Sequence, residues 1–220
     1  MSKSPPPELR MSESIVLVGD SIFDNASYVP GEPCVTEQLR AVVRGGVEVS
    51  MLAVDGHYVN DVQIQTRNLP AEVTHVFVSA GGNDALSYAH ELRSDHLTSE
   101  DLFKKWSRIQ REFRRQYRAM LEAVLALGKN TAVCTIYDAV PSISEIEVTA
   151  LSLFNDVITT EASFSGVPVV DLRWVCTESS DYSPLSPIEP SSLGGAKIAA
   201  ALNRLFEEHD FGSGRTTVYS

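Results

Sequence analysis

Five short runs rich in β-branched and other apolar residues, at 14–18, 47–54, 75–79, 131–136 and 167–172, alternate with stretches of helical periodicity. That alternation constrains the fold more than any other feature of the chain. Strands joined by helical crossovers must run parallel, and right-handed crossovers place helices on both faces of the sheet. The expectation is an α/β fold: a three-layer α/β/α sandwich with a flavodoxin-like parallel sheet of about five strands in the order 2-1-3-4-5. Helices are predicted at 35–43, briefly after Asn60, at 98–127, 145–162 and 192–208, several of them stopping at glycines such as Gly128 and Gly166. With 220 residues, 43% of them hydrophobic, the chain suits one core, and a single domain is expected over 13–210. Residues 1–12 and 211–220 lack periodicity and read as flexible tails.

The net charge of −11 argues against nucleic acid or an anionic membrane surface as partner. The one basic run, from Lys104 to Arg118, is interleaved with Trp106, Ile109, Phe113 and Tyr117 at helical spacing, the pattern of an amphipathic helix with a solvated basic face. No apolar run reaches the roughly 18 residues that span a bilayer, so membrane insertion is not expected. The polar, proline-rich start lacks the pattern of a secretory signal, and Cys34, Cys134 and Cys176 are odd in number and widely spaced. The expected location is cytoplasmic, with neither disulfide framework nor metal site, and the sequence leaves the oligomeric state open.

Three predicted strand exits carry special residues: Gly19-Asp20-Ser21, Asp55-Gly56-His57 and Gly81-Gly82-Asn83-Asp84. In the predicted strand order the first strand is central, so its exit lies at the topological switch point where ligands collect in open α/β sheets. Chemically these are the parts of an acyl-transfer site. A serine hydroxyl at a strand end is a candidate nucleophile. The N–H groups of Ser21 and Gly56 and the side-chain amide of Asn83 are candidate donors to an oxyanion. Taken singly, each has a plainer role as turn glycine or helix cap. Their succession after consecutive strands favours the catalytic reading.

These blocks strongly resemble the first three of the SGNH (GDSL-like) hydrolase superfamily, and the resemblance runs from about residue 14 to 205. It implies a three-layer fold and an esterase, lipase, thioesterase or deacetylase activity, with Ser21 as nucleophile, Gly56 and Asn83 completing the oxyanion hole, and no cofactor. The superfamily's last block, Asp-x-x-His before Pro, corresponds to Ser186-Pro187-Ile188-Glu189-Pro190. Ser186 stands for the orienting Asp and Glu189 for the histidine base.

Three replacements for that base are open. Glu189 itself would serve if burial raised its pKa, since an ordinary carboxylate, near 4.3, is a weaker base than imidazole, near 6.5. His57, beside Gly56, is the second. A carboxylate from another loop, Asp138 or Asp181, is the third, although turn and cap roles are the commoner use of such residues. Asp20 is a further candidate for a supporting role. His75, His90, His96 and His209 are poorly placed along the chain. Tyr58, Tyr137 and Tyr182 are candidates to wall an acyl pocket. Two readings follow: a serine hydrolase of carboxylic esters acting on a small-molecule ester, or a catalytically disabled hydrolase fold that binds a small carboxylated or acetylated ligand or a protein partner.

Overall fold

The computed structural model describes residues 13–93 and 98–220. Its sheet has six strands in the order β2-β1-β3-β4-β5-β6, all neighbours parallel. The strands are β1 (Ser14–Gly19), β2 (Glu48–Met51), β3 (His75–Ser79), β4 (Asn130–Cys134), β5 (Val169–Val170) and β6 (Val218–Tyr219). The helices are α1 (Val35–Val42), α2 (Val62–Gln65), α3 (Gly82–Ser87), α4 (Ser99–Leu125), α5 (Glu145–Ser165), α6 (Leu172–Val175) and α7 (Ser192–Glu208). The expected sandwich and the order 2-1-3-4-5 are present, with one strand added at the edge.

The layers follow from the two-residue period of the strands. Ile15, Leu17, Phe77, Ala132 and Val170 pack on one face against Val35 and Leu39 of α1 and Ile198, Leu202 and Leu205 of α7. Val16, Val18, Val76, Val78, Val133 and Val169 pack on the other against α4 and α5, through residues such as Phe113, Tyr117, Phe154 and Ile158. Alternate residues of one strand thus serve two cores, which is why the strands read as continuous apolar runs. The predicted start of the long helix holds, since the Thr98 hydroxyl accepts the Asp101 N–H at 3.2 Å. Much of its basic face is ion-paired, with Arg118 held by Glu161 at 2.8 Å. Among the described residues no helix is long and apolar enough to cross a membrane.

Several boundaries differ for identifiable reasons. The second strand stops at Met51 because Leu52 and Ala53 both donate to the Leu17 carbonyl, at 2.8 and 3.1 Å, a bulge that breaks the ladder. The fifth is two residues long because the Asp171 side chain accepts the Arg173 N–H and starts α6. The segment 211–220, expected to be a loose tail, instead supplies β6. Val169 donates to the Thr217 carbonyl at 2.9 Å and Asp171 to that of Tyr219 at 2.8 Å, while the Tyr219 side chain is buried. A two-residue strand has no period to read, and only its partner makes it visible. The segment 1–12 and His96 lie outside the described residues.

Candidate active site

The site begins where β1 leaves the sheet. Gly19 has φ +127°, and a Cβ there would lie 1.7 Å from the Ser79 carbonyl oxygen, so only glycine lets β1 exit this closely beside β3. Asp20 donates its N–H to that same carbonyl at 3.0 Å. Its own carbonyl accepts from Phe23 and Asp24, and its Oδ1 accepts the Ile22 N–H at 3.2 Å. These bonds build the turn that carries Ser21, which is 6% exposed. Asp20 is therefore a supporting residue of the turn. Burial pushes its carboxyl up to about 8 against the Ile22 bond, with the Glu189 and Asp84 carboxylates adding to the shift.

The loop before α7 brings Glu189 to the serine. The Ser21 hydroxyl lies beside the Glu189 carboxylate and favours its charged form, and Glu189 is only 5% exposed. One of its oxygens, Oε2, is buried with no hydrogen-bond partner among the described residues. Desolvation raises this carboxyl to about 7; the serine hydroxyl opposes the rise and the nearby Asp55 charge adds to it. The loop is held on every side. Glu189 donates to Ser186 and accepts from Ser183, the Tyr137 hydroxyl donates to the Ile188 carbonyl at 2.6 Å, and Asn25 Nδ2 donates to the Pro190 carbonyl at 3.1 Å. Asn25 is fully buried, and its Oδ1 accepts the Val35 N–H that opens α1.

The exits of β2 and β3 meet beside the serine turn. Gly56, at φ +79° on an exposed loop, takes a left-handed conformation that disfavours a side chain. The next residue offers its carbonyl to Asn83 Nδ2 at 2.9 Å, and Val59 donates its N–H to Asp84 at 3.0 Å. The adjacent Asn83 and Asp84 thus hold the Gly56 loop from the start of α3. One hydrogen of the Asn83 amide is used in this contact, and its second remains for a ligand.

The other candidates are placed elsewhere. His57 turns Nδ1 to Gln65 Nε2, at 3.0 Å, and does not line the cavity described below. Asp181 is a structural residue: its carboxylate pairs with Lys197 at 2.7 Å and accepts the Glu178 N–H. Asp138 also lies outside the cavity wall, where burial raises it and the Arg173 charge lowers it. Of the three tyrosines only Tyr137 lines the cavity; Tyr182 packs edge-on behind it, ring centroids 5.0 Å apart, and Tyr58 is exposed. Asn25, Gln65 and Asp84 carry roles that the sequence reading did not assign, because their partners are distant in the chain.

Ser21, Asn83 and Glu189 open into a cavity of about 270 Å³ between α3, α4 and α5. Its wall is mostly apolar, including Leu86, Trp106, Ile136, Val140, Leu151 and Phe154. Among the described residues no Lys, Arg or His lines it. The arrangement offers a hydroxyl beside a buried carboxylate, amide groups near it, and an apolar chamber leading away.

Comparison with solved structures bears out this fold. The lipase Lip_vut3 from a goat rumen metagenome superposes with a TM-score of 0.66 at 20% identity, covering 86% of this chain and 95% of that one. Axe2, an acetyl xylan esterase from Geobacillus stearothermophilus, superposes with a TM-score of 0.65 at 16% identity, covering 87% and 93%. The psychrotrophic esterase EstA from Pseudoalteromonas sp. gives 0.63 at 14%, covering 89% and 99%. No curated protein sequence matches the chain. Residues 17–196 match the GDSL-like Lipase/Acylhydrolase family, a span that begins within β1 and ends in α7 and so includes Ser21, Asn83 and Glu189. By that match over most of its length, the chain belongs to the GDSL-like lipase/acylhydrolase family.

Proposed function

We propose that the protein hydrolyses carboxylic esters through an acyl-enzyme on Ser21, with Glu189 as the general base. The observation that carries this reading is the Ser21 hydroxyl beside a buried carboxylate that desolvation raises to about 7. General-base efficiency is greatest when the base's pKa lies near the working pH, so burial supplies at Glu189 what imidazole supplies by its own chemistry. In the acylation step Ser21 Oγ bonds to the ester carbonyl carbon as its proton passes to Glu189. The oxyanion accepts from the Ser21 and Gly56 N–H groups and the Asn83 amide. Collapse breaks the bond to the alcohol, which leaves with the proton from Glu189. Water then repeats the sequence on the acyl-enzyme and releases the acid.

The cavity indicates the acyl group. An apolar cavity of about 150 Å³ takes a six-carbon ring, and on that scale about 270 Å³ takes a chain on the order of eight to ten carbons. An acetyl group would leave most of it unfilled. The absence of a cationic side chain from the described wall gives a charged acyl group no partner. The proposed substrates are small esters of neutral, medium-length acids.

Nitrophenyl esters from acetyl to dodecanoyl test this directly. The expected kcat/KM rises from acetyl to a maximum near octanoyl, with turnover abolished in Ser21→Ala and covalent labelling by a fluorophosphonate lost in the same variant. Turnover surviving in Ser21→Ala would overturn the mechanism. No wild-type turnover, together with saturable binding of octanoate, would support the disabled binding protein instead.

A further inference from the structure

The proposed oxyanion hole draws its donors from three separate loops, so something must hold those loops in register. Gln65, the last residue of α2, is placed to do this. Its Oε1 accepts the Gly19 N–H at 2.7 Å and its Nε2 donates to the Gly19 carbonyl at 2.7 Å. The side-chain amide thus pairs with β1 as another strand's peptide would, at the level where β2 has already ended. Because Gly19 N–H can only donate and its carbonyl only accept, the orientation of the Gln65 amide is determined. The second hydrogen on Nε2 then faces His57 Nδ1 at 3.0 Å, which assigns the His57 proton to Nε2.

From His57 the connection continues. Its backbone carbonyl accepts Asn83 Nδ2 at 2.9 Å. One chain of hydrogen bonds therefore runs from Gly19, two residues before Ser21, through Gln65 to His57, the neighbour of Gly56, and on to Asn83. Every donor of the proposed hole lies on this chain or within two residues of it. We infer that Gln65 is a positioning residue that sets the three oxyanion donors relative to one another, and that His57 serves as the acceptor for its amide. The inference rests on the ester-hydrolase reading, since it assigns a role within that site.

Oxyanion donors act by being fixed before charge develops, so loosening them lowers the rate of the chemical step more than it weakens substrate binding. Gln65→Leu removes all three contacts. Gln65→Glu keeps an acceptor for the Gly19 N–H and, when ionised, sets an acceptor against the Gly19 carbonyl and His57 Nδ1. For both variants kcat on octanoyl nitrophenyl ester should fall about ten- to hundredfold, with KM within about threefold of wild type. The rate of fluorophosphonate labelling should fall in parallel.

His57→Leu removes only the outer link and should lower kcat by about three- to tenfold. The Gln65→Leu/His57→Leu double variant should be no slower than Gln65→Leu alone, because both lie on one path. Melting temperatures identify folded variants; if Gln65→Leu does not fold, Gln65→Glu and His57→Leu carry the test. Folded variants with wild-type kcat, or losses confined to KM, overturn the inference while Ser21→Ala remains inactive. Undiminished turnover in Ser21→Ala instead overturns the hydrolase reading itself, and the assigned role of Gln65 with it.

Discussion

Replacing Glu189 by glutamine separates its proposed role as base from everything else its side chain does. The two residues are nearly isosteric, and a glutamine carbonyl can accept from the Ser21 hydroxyl, so the placement of the pair is retained while the amide cannot take up a proton. With the carboxyl at about 7, only about one part in a hundred is ionised at pH 5, so wild-type kcat/KM should fall about hundredfold between pH 8 and pH 5. A positioned general base contributes about 10²–10⁴ in rate, or about 2.7–5.5 kcal/mol, and Glu189→Gln should lose that amount at pH 8 together with the pH dependence.

Stability should move the opposite way. A carboxyl raised in the folded state holds a proton that the unfolded chain has released, so wild-type stability falls as pH rises from about 4.5 to about 7 at this position and then levels off. Asp20 adds a slope of the same sign from 3.8 to about 8. Glu189→Gln removes its share, so the variant should gain stability over wild type at pH 8 and gain little at pH 4. The assays are initial rates on octanoyl nitrophenyl ester from pH 5 to 9 and urea unfolding at the two pH extremes. A wild-type midpoint near the ordinary carboxylate value of about 4.5, or a variant within about threefold of wild type at pH 8, would refute Glu189 as the base.

Three other perturbations probe the surrounding structure. Ala150 lines the proposed acyl cavity, and Ala150→Phe should move the preferred acyl length from octanoyl toward butanoyl without reducing fluorophosphonate labelling of Ser21; an unchanged chain-length profile would argue against the cavity as the acyl site. Asn25→Ala leaves the Pro190 carbonyl and the Val35 N–H without their buried partner and should cost about 2–4 kcal/mol in urea unfolding while lowering kcat; full activity would show that the Glu189 loop is held by its remaining contacts. Truncation after Asp210 removes β6 and the buried Tyr219, and should lower stability by about 2–3 kcal/mol; an unchanged melting temperature would return the segment to the status of a tail.

Local pattern determined much of this protein. Strands buried on both faces read as continuous apolar runs, helices as three- and four-residue periods closed by glycines, and parallel topology follows from their alternation without knowledge of any contact. The same locality made Gly19-Asp20-Ser21 and Asn83-Asp84 legible, since a residue at a strand exit inherits its position from the sheet, and Glu189 could be named from its place before α7. What only the tertiary structure decided is which of the candidate residues lies beside the serine. Glu189 is carried to Ser21 by bonds such as that from Asn25 to Pro190, 165 residues apart, and burial in the assembled crevice, not residue type, raises its pKa. His57 and Asp181 are committed elsewhere by Gln65 and Lys197, partners that no spacing rule connects to them. The cavity and β6 belong to the same class: each is defined by surfaces from separate segments, so neither exists until the chain has folded.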